Sequence, residues 1–179
     1  GNCYAGGYAL EVKNGRITWS KNMKTNKITR PGSKKSTVKT KKLKGSYYKI
    51  ISKSKRTVQY VKPVKKNIIS VIIPSSIKLN GKRYKVTGIA ANAFKNCKKL
   101  KKVTIGINVN SIGKRAFYGC SKLQTIKVKT SKLTGSRVGK QAFKGLNKKA
   151  VIKVPKKQLK AYKRLFRVKG VGKKVTIKK

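Results

Sequence analysis

A chain of 179 residues is long enough for one continuous core with a small appended element. It carries 51 Lys plus Arg, one acidic residue (Glu11) and no histidine, for a formal net charge of +50. The usual general base, any carboxylate pair and any carboxylate cage for a divalent cation are thereby excluded, so the expectation is a non-enzyme without metal or cofactor.

In chain order, the first element is a hairpin within residues 1–19. In "ALEVKNGRITW", Asn14-Gly15 suits the two positive-φ sites of a type I′ turn and pairs Val12 with Ile17 and Leu10 with Trp19. The glycines of "GNCYAGG" follow no strand and open no helix, so they make no phosphate-binding loop. Residues 20–45 hold ten basic residues and few sizeable aliphatic ones, and read as an extended basic linker. The remaining residues, 46–179, form the main domain. "YYKIIS" and "TVQYV" flank a polar turn as a strand pair, and "KLNGKRYKV" is a second Asn-Gly hairpin; together they predict a β cap.

Beyond the cap the sequence repeats. "IAANAFKNCKKLKKVTI" (89–105), "IGKRAFYGCSKLQTIKV" (112–128) and "VGKQAFKGLNKKAVIKV" (138–154) align, with Phe94, Phe117 and Phe143 in one position. Cys97, Cys120 and Leu146 share a second position, and Leu100 and Leu123 a third. Each unit reads as a helix-like or turn-like "AF" stretch followed by a short period-2 strand. A unit this short cannot bury its apolar face alone, so neighbours must stack as a solenoid. After Pro155, Leu159, Tyr162 and Phe166 recur at helical spacing, Gly170 stops the helix, and "KKVTIKK" alternates like a closing strand.

The pattern Ile-x-x-x-Ala-Phe-x-x-Cys-x-x-Leu-x-x-Val-x-Ile resembles the BspA-like leucine-rich repeat of bacterial surface and secreted proteins. "VIIPSSIKLNGKRYKVTGIAANAF" is similar to the opening of such arrays and "KVPKKQLKAYKRLF" to their closure, so the resemblance covers roughly 47–179. It implies an α/β solenoid: a short leucine-rich-repeat array of parallel short strands with an N-terminal β-hairpin cap and a C-terminal helix-plus-strand cap. It further implies a non-enzymatic, often adhesive module, secreted or on a bacterial cell surface, any signal peptide having been removed ahead of residue 1.

Cys97 and Cys120 could form a thiol pair or ligate a metal, but the reading favoured by Leu146 in the third copy is a buried structural column. Cys3 is left open between a free thiol and an interchain bridge. If the repeats stack as strands, Lys99, Lys122 and Lys148 form one column of charge and Thr104, Lys127 and Lys153 a second, with Lys114 and Lys140 flanking. Such columns make a track for a linear polyanion or, more blandly, a solvated surface. Lysine outnumbers arginine 43 to 8, which favours backbone-type electrostatic binding over base-specific readout. The partners expected are glycans, teichoic acid, anionic lipid, nucleic-acid backbone, or a host or bacterial protein. Alternatives are a sequence-nonspecific nucleic-acid binder or cationic effector, a passive display scaffold, and a supercharged variant of a natural repeat protein. With no run of 18 apolar residues, no transmembrane segment is expected.

Overall fold

The computed structural model describes residues 39–179 with their side chains and, ahead of them, the backbone of residues 4–5, 8–13 and 16–21. The chain divides into two compact units, Gly1–Thr37 and Val38–Lys179. In the first, β1 (Tyr4–Ala5), β2 (Tyr8–Lys13) and β3 (Arg16–Lys21) form an antiparallel sheet in that order. Leu10 stands opposite Trp19 and Val12 opposite Ile17, the pairs expected from the sequence.

The second unit begins inside the expected linker. β4 (Thr40–Leu43) pairs antiparallel with β5 (Ser46–Ser52), which pairs in turn with β6 (Thr57–Pro63). Lys44 and Gly45, both at positive φ, make the β4–β5 turn, a signal that the surrounding lysines obscure. Of the linker span 20–45, residues 22–38 lie outside the described residues. Next come β7 (Ser70–Ile73) and the hairpin of β8 (Ser76–Leu79) and β9 (Lys82–Ile89), turning at Asn80-Gly81 with both φ positive. β10 (Lys102–Ile105), β11 (Ser111–Ile112), β12 (Thr125–Val128) and β13 (Val151–Lys153) follow. Helix α1 (Leu159–Val168) and β14 (Thr176–Lys178) end the chain.

These strands make two sheets. One is wholly parallel, in the order β14-β13-β12-β10-β7, and gives each repeat one rung. The other, β11-β9-β6-β5-β4, is antiparallel at its outer end and parallel where β6 meets β9 and β9 meets β11. Its parallel part continues as a single bridge between Ile112 and Val138.

Between the two ladders each "AF" stretch is a run of turns, not a helix. Asn92 and Asn96, then Arg115 and Gly119, then Gln141 and Gly145, all sit at positive φ, four residues apart. That backbone aims alternate N–H groups at the next repeat: Asn92, Phe94 and Asn96 donate to the carbonyls of Lys114, Ala116 and Tyr118. A helix would keep those bonds to itself; the turns spend them on stacking. Backbones approach closely enough that a Cβ on Gly113 would lie 2.2 Å from Ala91 N, and one on Gly139 2.3 Å from Lys114 N.

The rings of Phe94, Phe117 and Phe143 lie one over the next, with centroids 5.1 and 5.4 Å apart and planes within 8° of parallel. Tyr60 extends this spine beyond Phe94 at 5.1 Å, and Phe166 of α1 closes it edge-on at 5.0 Å from Phe143. Tyr162 ties the helix down by donating its hydroxyl to the Thr130 carbonyl at 2.9 Å and accepting from Leu133 N at 3.2 Å. Residues 39–179 contain no Asp or Glu, so no side-chain ion pair forms among them and apolar packing supplies the stability.

Candidate functional site: a lysine ladder on the parallel sheet

In the parallel sheet, Val71, Val103, Ile126, Ile152 and Ile177 share one rung position. Val103, Ile126, Ile152 and Ile177 are buried, and Val71 is half-buried at the edge. Side chains alternate along a strand, so the next residue of each rung faces outward: Ile72, Thr104, Lys127, Lys153 and Lys178 stand in register there. The last three are exposed. Adjacent strands lie about 4.8 Å apart, so three lysines are rooted along about 10 Å of sheet, across the strands and not along them. The row is graded, with exposed Ile72 at one end, half-buried Thr104 next, and lysine from there on.

Lys127 and Lys153 fall where the repeat alignment puts them, and Lys178 extends their row. Lys178 was legible too, since "VTIK" at the chain's end repeats the strand pattern of "AVIK" 25 residues earlier. Lys99, Lys122 and Lys148 are exposed, one per repeat, in the segments leading from each turn run into its strand. Lys114 and Lys140 are exposed at the start of the turn runs, where their carbonyls accept from Asn92 N and Arg115 N. The candidate lysines therefore occupy three separate stations of each repeat. Strand pairing brings together only those of the ladder.

Cys97 and Cys120 are buried and unbridged. The Cys120 thiol donates to the Phe94 carbonyl at 3.1 Å, and burial pushes its pKa up to about 12. Burial also raises Cys97, against the opposing charge of Lys66. Thiols kept neutral in this way are packing groups, not nucleophiles. Tyr48 is likewise raised to about 12 by burial, and the Tyr60 hydroxyl, raised further, accepts a hydrogen bond from Ser46. Among the described residues no helix is long and apolar enough to cross a membrane.

Five parallel rungs in common register over a continuous aromatic spine define a leucine-rich-repeat solenoid. The chain belongs to the BspA-type leucine-rich repeat family, whose model matches residues 64–179 in six copies. The phenylalanine spacing displays three of these copies. Repeat regions of this kind are generally non-catalytic binding modules. Among solved structures, the chain is similar to a leucine-rich cell surface protein from Faecalibacterium prausnitzii, with a TM-score of 0.51 and 21% identity over 66% of this chain and 37% of that one. It is also similar to a leucine-rich repeat protein from Bacteroides capillosus, with a TM-score of 0.50 and 25% identity over 65% of this chain and 83% of that one. The chain thus spans little more than a third of the Faecalibacterium protein. No curated protein matches it.

Proposed function

We propose that the protein is a non-enzymatic interaction module of a secreted or cell-surface protein, and that it binds linear polyanions electrostatically along the parallel sheet. The observation carrying this reading is the in-register row Lys127, Lys153 and Lys178 in a domain with no carboxylate side chains to neutralise it. A flexible polyanion laid across the strands meets one ammonium per rung and releases its counterions as it does so. The surface location is supported by the similarity to the Faecalibacterium cell-surface protein.

Lysine offers point charges without the planar fork that grips phosphate or guanine in two places, so charge spacing, not base identity, governs affinity. The half-buried Tyr47 and Tyr118 rings already carry Lys62 and Arg115 over their faces, at 5.7 and 5.5 Å, which leaves little free aromatic surface for nucleobases among the described residues. Sulfated or uronic glycans and teichoic acids fit such a surface better than sequence-read nucleic acid.

The test is a comparison of two triple variants of equal charge. Lys127→Gln/Lys153→Gln/Lys178→Gln removes the ladder; Lys53→Gln/Lys55→Gln/Lys85→Gln removes exposed charge from the other sheet and its turn. The ladder variant is expected to elute earlier from heparin and to lose about 2–3 from the log–log salt slope, the control about 1 or less. Equal losses would show that net charge alone binds and that no track exists.

A further inference from the structure

β7 is the end strand of the parallel sheet, with β10 on one side and, among the described residues, no strand on the other. The Ile69 carbonyl accepts from Lys101 N and Lys102 N, at 2.7 and 3.2 Å, and so points toward β10. Backbone polar groups alternate sides along a strand, so Val71 and Ile73 also address β10, while the N–H and C=O of Ser70 and Ile72 face away. Pro74, which has no N–H, ends this free edge.

The free edge borders a groove of about 940 Å³ between β7, the β4–β5 turn and β8. Its walls are mostly apolar, including Leu43, Tyr48, Ile68 and Ile77. Ile72 is 71% exposed at its rim, and Lys44, Lys78 and Arg83 border it as well. An unpaired strand edge beside an apolar groove is a template for one more strand.

We infer that this edge captures a short extended segment of another polypeptide, with an apolar-x-apolar centre and acidic flanks. A glycan or nucleic acid has no backbone that can continue a β ladder, so the edge selects a peptide. The added strand runs antiparallel to β7: two alternate side chains enter the groove as Val71 and Ile73 enter the core, and the residue between them, its side chain outward like that of Ile72, exchanges main-chain bonds with Ile72 and fixes the register. Lys44, Lys78 and Arg83 have no carboxylate within residues 39–179 to pair with, so the incoming segment supplies the acids. A second copy of this chain is a poor occupant. It brings the same positive charge, and its other sheet edge, β14, carries Lys178.

The probe is a fluorescein-labelled peptide of sequence Asp-Glu-Val-Thr-Val-Glu-Asp, compared with the same peptide N-methylated on its backbone at the central threonine. Charge and side chains are the same in both; only the second cannot complete a ladder. By anisotropy with the full chain, the unmethylated peptide is expected to bind at least about tenfold tighter, since lost main-chain bonds cost about 1 kcal/mol each. Ile72→Pro, which removes an outward donor and no bond to β10, is expected to erase that difference with an unchanged melting temperature, whereas the ladder triple variant keeps it. Equal affinity for the two peptides would overturn the inference without any variant, leaving only charge attraction. Self-association of the free chain that Ile72→Pro abolishes would overturn it as well, making a second copy the occupant.

Discussion

Phe117→Ala tests the stacked spine directly. Phe117 is fully buried between Phe94 at 5.1 Å and Phe143 at 5.4 Å, with its ring within 8° of parallel to both. Removing about 200 Å² of buried apolar surface at about 25 cal/mol per Å² costs up to about 5 kcal/mol, and phenylalanine truncations in cores generally cost about 3–5. Losing two stacking partners at once places this site in the upper half of that range, near 4 kcal/mol. Phe117→Leu keeps most of the apolar volume and gives up the two ring contacts, so about 1.5–2 kcal/mol is expected. Urea unfolding followed by circular dichroism is the suitable assay, because urea leaves ionic strength fixed in a domain whose charges all repel. A loss under about 1.5 kcal/mol for Phe117→Ala would refute the view that the spine couples the repeats.

Gly113→Ala places a methyl 2.2 Å from Ala91 N and is expected to cost more than about 2 kcal/mol or to prevent folding, whereas Gly135→Ala, with nothing within 4 Å, stays within about 0.5 kcal/mol in the same urea titration. Raising NaCl from about 20 mM to about 500 mM is expected to raise the melting temperature, since a single-sign surface gains from screening where an ion-paired one would lose. With no histidine and one acidic residue, stability is expected to be nearly flat from about pH 5 to pH 8. At alkaline pH the sign follows from Cys120, raised from 9.0 to about 12. Its contribution is complete below pH 9 and is lost as pH rises toward 12. The melting-temperature advantage of the native chain over Cys120→Ala is therefore expected to shrink between about pH 8 and about pH 11, by the equivalent of roughly 3 kcal/mol; a constant gap would contradict a neutral buried thiol.

Much of the architecture was written locally. Spacings of 23 and 26 residues between Phe94, Phe117 and Phe143 determine that three rings stack, because a repeat too small to bury itself has one way to share a core. Asn80-Gly81 likewise determines the register of its hairpin, since a two-residue turn leaves no freedom to slip. The ladder lysines Lys127 and Lys153 were legible for the same periodic reason.

Only the tertiary structure decided the features made by contacts that recur nowhere else in the chain. Tyr60 joins the spine because β6 lies parallel beside β9, a pairing between segments about 28 residues apart that no local pattern encodes. The "AF" stretches became turns because their N–H groups found carbonyls on the next repeat, partners that an isolated segment lacks. The free edge of β7 is the same kind of fact: "SVII" reads as any buried strand, and only the assembled sheet shows which of its sides has no neighbour.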